Sequence, residues 1–118
     1  MNDRIRAYLW DALRAAEEAH SFAADCITVS DYVSNSLVKS AVERQLTIIG
    51  EALRRIRSES PDILSLIKGS EQIIGLRNVL THDYDKMDYE ALWRIVKVRL
   101  PDLISQLNAL LNDNGNSS

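Results

Sequence analysis

One stretch restricts the fold more than any other. Val38, Val42, Leu46, Ile49, Leu53 and Ile56 recur at helical spacing, and Leu37, Ala41, Ile48 and Ala52 form a second stripe beside them. At about 100° per residue this is the signature of one long helix, expected over 35–58. Two stripes predict burial on two sides, one against the chain's own core and the other against a second chain. Gly50 stands inside this helix, where glycine costs roughly 1 kcal/mol relative to alanine. A close helix crossing would offset that cost.

The rest of the chain carries the same period. No segment alternates apolar and polar residues with period two, so no sheet is expected. A first helix is expected over 3–24, with Ile5, Leu9, Ala12, Leu13 and Ala16 as its stripe and Tyr8 and Trp10 widening it. Ser30 is placed to cap a short turn through Tyr32 and Val33. Pro61 suits the start of a short helix reaching Lys68, with Gly69 ending it. Ser70 should then cap a helix over 71–81, and 83–87 reads as a loop. Asp88 is placed to cap a last long helix over 89–111, which Pro101 should kink. The expected organisation is one helical domain over 1–112 and a polar disordered tail over 113–118. The fold class is all-α: an up-and-down bundle of three to four long helices plus one or two short ones.

Composition narrows the chemistry. At 118 residues the chain suffices for one domain with its own core. It has no long apolar run and no apolar signal region near Met1, so a cytoplasmic protein is expected. A lone Cys26 rules out an internal disulfide and reads as a small buried hydrophobe. With no second cysteine and no histidine pair at helical spacing, no zinc site is visible. His20 has no matching ligand or acid-base partner and reads as a surface residue. A net charge of −3 argues against a general, charge-driven nucleic-acid binder. A local basic patch from Arg44, Arg54, Arg55 and Arg57, or from Arg94, Lys97 and Arg99, stays compatible with a nuclease, although solvated helix faces account for both.

The chemistry concentrates in Gly75-Leu76-Arg77-Asn78-Val79-Leu80-Thr81-His82-Asp83-Tyr84. On a helix, Arg77, Thr81, Asn78 and His82 spread over an arc of roughly 140°, while Ile73, Leu76, Val79 and Leu80 fill the arc behind. Ile74 falls on or beside the polar arc, which suggests that a partner surface covers part of it, and Gly75 would permit close backbone approach. Histidine, with an ordinary pKa of about 6.5, can give and take protons near neutrality. Arginine is a fixed planar cation suited to phosphate. Together they fit phosphodiester cleavage. The competing reading is a helix C-terminal dipole partner beside a surface histidine.

Three blocks carry a family resemblance: Ile48-Ile49-Gly50-Glu51-Ala52, then Ile73-Ile74 continuing through the motif to Tyr84, then Val98-Arg99-Leu100-Pro101-Asp102-Leu103. In order and spacing they resemble the HepT branch of the HEPN superfamily, over nearly the whole chain. The resemblance implies a helical bundle that dimerises, with the Arg-His motifs of two copies meeting in one cleft. It implies a metal-independent endoribonuclease toxin of a type VII toxin–antitoxin system. Its partner would be a minimal nucleotidyltransferase antitoxin that transfers AMP from ATP to the motif tyrosine. Carried over, Arg77 and His82 are the catalytic residues, Asn78 a supporting polar residue and Tyr84 the modified residue, with no cofactor or metal. A two-fold interface would supply both proton acceptor and proton donor from two copies of His82. The alternative is a non-catalytic helical subunit that binds nucleotide or substrate for the nucleotidyltransferase. A purely structural dimerisation bundle would not need the three motif residues together. Met87 and Trp93 read as packing residues.

Overall fold

The computed structural model describes residues 1–116, with side chains through Asn112. Helix α1 spans Asp3–Phe22, and the Asn2 side chain caps it by accepting from the Ile5 amide at 2.8 Å. Ile5, Leu9, Ala12, Leu13 and Ala16 are buried as expected, whereas Trp10 is exposed. Helix α2 spans Val29–Ser34, and its cap is Thr28 rather than Ser30. The reason is a capping box: Thr28 accepts from the Asp31 amide, and the Asp31 carboxylate accepts from the Thr28 amide, both at 3.1 Å. Ser30 has Val33 three residues on and cannot form that reciprocal pair.

Helix α3 spans Ser36–Glu59 behind an Asn35 cap. Val42, Leu46, Ile49, Leu53 and Ile56 along it are completely buried. The second stripe is uneven: Ala52 is buried, Ile48 is half-buried, and Leu37 is exposed. Helix α4 is shorter than expected, Pro61–Leu64, and single turns carry the chain on to Gly69. Gly69 has φ 81°, a left-handed conformation that glycine adopts without steric cost. It occupies the cap position of helix α5, Ser70–His82, so Ser70 is the first helical residue and is buried rather than capping.

After α5, Tyr84–Lys86 form a 3₁₀ turn where a loop was expected. Helix α6, Tyr89–Arg94, starts at Asp88, whose carboxylate accepts from the amides of Glu90 and Ala91. Residues Ile95–Arg99 then widen into a π-helical turn before helix α7, Leu100–Asn116. Pro101 accounts for this. Proline cannot donate to the carbonyl four residues back, and its ring crowds that carbonyl. The wider turn accommodates both effects, and the Leu100 amide bonds instead to the Ile95 carbonyl. The expected polar tail over 113–118 falls beyond the described side chains, and residues 117 and 118 lie outside the described residues altogether.

α1 packs on α3 and α7, and α3 packs on α1 and α5, around one apolar core. Buried Cys26 belongs to that core, with Met87 and Trp93 packed against it. Ile74 is buried within this same core, so its apolar character has an intrachain cause and does not report a partner. Among the described residues no helix is long and apolar enough to cross a membrane.

The closest helix contact lies at Gly50. A Cβ there would overlap the Arg77 Cβ, and would sit 2.8 Å from its Cγ and 3.3 Å from the Ile73 carbonyl oxygen. Gly50 therefore serves a crossing of α3 with α5 inside the chain. Gly75, by contrast, has open space around it, and no other part of this chain approaches it closely. Replacing Gly50 with alanine should overpack the crossing and destabilise the fold by about 1–3 kcal/mol, a fall in Tm on the order of 10 °C. Arg77→Ala should not rescue it, because the offending Cβ remains. Thermal unfolding of the single and double variants checks both statements.

Candidate functional site

The site is built on the register between α3 and the chain from α5 onward. Arg57 pairs with Glu71 at 2.7 Å, Gly50 lies under Arg77, and Glu43 bonds to Tyr84 at 3.0 Å. Moving seven residues back along α3, from Gly50 to Glu43, matches moving seven forward from Arg77 to Tyr84. That is antiparallel packing in a single register. Seven residues are close to two helical turns, so Gly50 and Glu43 share one strip of α3.

Arg77 is fixed by this packing. Its stem lies on Gly50, and its guanidinium pairs with Glu51 at 3.1 Å and donates to the Asn78 side chain at 3.1 Å. The side chain keeps 22% of its surface exposed, while its buried Nε has no hydrogen-bond partner among the described residues. Glu51 serves two further arginines, Arg54 at 2.8 Å and Arg55 at 3.2 Å. The Arg54 hydrogen bond above all, with Arg55 and the charges of Arg54 and Arg77 behind it, holds the Glu51 carboxyl down at about 2. One carboxylate thus gathers three guanidinium groups, leaving a local excess of positive charge in an acidic protein.

His82 is the last residue of α5 and is exposed. It follows Arg77 by five residues, about 7.5 Å along the helix axis. Among the described residues its side chain has no hydrogen bond or ion pair. Thr81, between them, turns its hydroxyl back to the Arg77 carbonyl at 2.8 Å. A single chain therefore supplies one arginine and one histidine on the same helix.

Tyr84 is half-exposed, but its hydroxyl is engaged. It donates to the Glu43 carboxylate at 3.0 Å and accepts from the Tyr89 hydroxyl at 3.0 Å. The Tyr89 hydrogen bond, followed by burial and the bond to Glu43, pushes the Tyr84 pKa up. Burial likewise raises the Glu43 carboxyl, with the Tyr84 hydrogen bond partly opposing it. The 3₁₀ turn is thereby tied to α3.

Most cations of the expected basic patches are held by partners within the chain. Arg54 and Arg55 pair with Glu51, Arg57 with Glu71, and Arg94 with Glu90. Lys97 donates to the Ala23 carbonyl at 2.9 Å and lies over the Trp93 ring. Glu43, Glu51 and Tyr89 adjoin the candidate residues, and the sequence alone assigned none of the three a role. The signal for Glu43 was its seven-residue offset from Gly50, which puts a carboxylate on the strip that receives α5. Among the described residues, no three His, Cys, Asp or Glu side chains converge as a metal site would require.

Comparison with known proteins gives a consistent picture. The family described as Ribonuclease HepT-like matches residues 12–110. A protein of Methanocaldococcus jannaschii named "Putative RNase" is 36% identical over 99 residues, covering 84% of this chain and 89% of its own. A "Probable ribonuclease HepT" of Thermococcus cleftensis is 31% identical over 103 residues, covering 87% of this chain and 92% of its own. No solved structure matches the chain.

The two glutamates respond to pH with opposite signs. The Glu51 carboxyl is depressed from 4.5 to about 2 in the folded chain. Its pairing therefore stabilises the fold above about pH 4.5 and is lost as pH falls toward 2. Glu51→Gln should lose stability relative to wild type at neutral pH, with the gap closing through that acid window. The Glu43 carboxyl is raised, so its relative contribution is greatest at low pH and is lost as pH rises through its folded value. Glu43→Gln should gain on wild type as pH rises, because the amide oxygen still accepts from Tyr84 without a buried charge. Urea midpoints measured across the acid range check both slopes.

Proposed function

The chain belongs to the Ribonuclease HepT-like family, and on that premise we propose that it is a metal-independent endoribonuclease toxin of a type VII toxin–antitoxin system. The observation that carries the reading is the treatment of Arg77: packed on Gly50, braced by Glu51 and Asn78, and still presenting charge to solvent. A guanidinium that only stabilised the fold would not need its own glycine and a shared carboxylate to hold its direction.

The reaction is transesterification within RNA. The substrate's 2′-oxygen forms a bond to phosphorus as the bond from phosphorus to the 5′-oxygen breaks. His82 accepts the 2′ proton. Arg77 stabilises the charge developing on the non-bridging oxygens. The departing 5′-oxygen takes a proton from the second copy's His82, leaving a 2′,3′-cyclic phosphate and a 5′-hydroxyl. The scheme needs both a proton acceptor and a proton donor, and one chain offers a single His82, so a homodimer cleft is the natural place to assemble the full set. The nucleophile is part of the substrate, so the scheme calls on no metal ion.

Silencing follows from Tyr84. In the proposed modification its oxygen attacks the α-phosphorus of ATP on a minimal nucleotidyltransferase partner, and pyrophosphate leaves. Glu43, already accepting the Tyr84 hydrogen bond, takes the proton. The attached AMP would place a phosphate two residues beyond His82, where it competes with RNA for the arginine. The site of action is the cytoplasm, where both RNA and ATP are present.

Purified protein whose intact mass shows unmodified Tyr84 should cleave RNA in excess chelator. His82→Ala should lower the rate by about a hundredfold or more without changing the melting temperature. Cleavage by His82→Ala at the wild-type rate would overturn the assignment. Failure of unmodified wild type to cut any of several RNAs would instead favour a non-catalytic subunit that binds nucleotide or substrate for the nucleotidyltransferase.

A further inference from the structure

Arg77 borders a cavity that the cleavage scheme does not use. The cavity has a volume of about 320 Å³ and opens where α1, α3 and α5 meet, among Tyr8, Asp11, Ile48, Ala52, Arg55 and Arg77. That volume is at the small end of ligand sites, which run from about 300 to 1,000 Å³, and suits a single heterocycle. Ile48 and Ala52, one turn apart on α3, give it apolar wall. Tyr8 is half-buried against the core, so its ring is a fixed surface. The Arg55 guanidinium lies over that ring, 5.9 Å from its centroid. Single-stranded RNA bases stack on aromatic rings or on arginine planes, and the cavity offers one of each. Arg77 is common to this cavity and to the proposed cleavage site, so a base seated here belongs to a nucleotide next to the phosphate that Arg77 binds.

The polar rim adds selectivity. The Asp11 carboxylate has no hydrogen bond or ion pair among the described residues, and an ionised carboxylate only accepts. It can pair with an exocyclic amino group, which adenine, cytosine and guanine carry and uracil lacks.

We propose that this cavity is the subsite for the base adjoining the scissile phosphate, with Tyr8 as its stacking surface and Asp11 selecting an amino-bearing base. The proposal rests on the RNA-cleavage reading and extends it to substrate choice.

The test is cleavage of short single-stranded RNAs of random sequence, with the ends sequenced and KM and kcat measured, beside light scattering and thermal melts. Wild type should show uracil depleted at one position flanking the cut. Tyr8→Ala should raise KM about tenfold, within the range for losing one base–aromatic stack, with kcat little changed and the end preference flattened. Tyr8→Phe should behave as wild type, and Asp11→Asn should relax the discrimination against uracil. If Tyr8→Ala does not fold, Tyr8→Leu, which keeps apolar bulk without a ring face, should give the same result. A folded Tyr8→Ala or Tyr8→Leu protein with wild-type KM and end preference would overturn the subsite. So would a rise in KM that tracks conversion of a dimer to monomer, since the cavity face would then be a contact between copies. If wild type cuts no RNA, the cleavage reading itself fails and takes this inference with it.

Discussion

A side chain at position 50 would have to occupy the space taken by the Arg77 stem, so the spacing between α3 and α5 depends on one missing carbon. The consequences run in both directions along the crossing. Toward the start of α5, Arg57 reaches Glu71; beyond its end, Glu43 reaches Tyr84. Helices brought this close are held to one register, because side chains interdigitate and a slip would drive Arg77 into the α3 backbone. The same register presents His82 at the exposed end of α5 while the Ile73 and Ile74 side chains stay in the core. Stability and site geometry therefore share one contact.

Electrostatics refines what packing begins. Three arginines around a lone carboxylate leave Glu51 ionised to low pH, and the surplus charge is local. That resolves an apparent conflict between a net charge of −3 and an RNA substrate. Overall charge governs long-range attraction, whereas a phosphate bound at the proposed site would meet oriented guanidinium groups at short range. Tyr84 illustrates the opposite arrangement: a carboxylate placed partly out of water accepts a hydrogen bond from its hydroxyl, and the turn after His82 is pinned as a result.

Much of this was legible in the sequence, and the gaps have physical reasons. Helical periodicity located the long elements and most of the core, from Ile5 through Leu111. The Arg-His-Tyr spacing placed the three residues at the end of α5 and in the turn after it. Local capping was less legible: Thr28 and Gly69 displaced Ser30 and Ser70 because a reciprocal pair and a left-handed residue settled those ends. Pro101 was expected to kink the last helix, and the distortion takes the form of a π-helical turn just before it. Periodicity also shows only that a face is buried, not against what. Gly50 pointed to a close crossing, but the partner is α5 of the same chain. Ile74 suggested a covering partner, but the chain's own core covers it. Glu43 and Glu51 look like solvated helix residues until the register places arginine and tyrosine beside them.

The central claim is that α3 aims Arg77 for catalysis, through Gly50 beneath it and Glu51 beside it. The most direct measurement is the steady-state kinetics of RNA cleavage by Glu51→Gln protein against wild type. With the carboxylate gone, Arg77 loses the ion pair that helps to hold its direction. The kcat should fall about tenfold to a hundredfold, the scale on which small misplacements act, while KM stays level or drops. An unchanged kcat, or a loss confined to KM, would contradict it and leave Glu51 as a stabilising residue only.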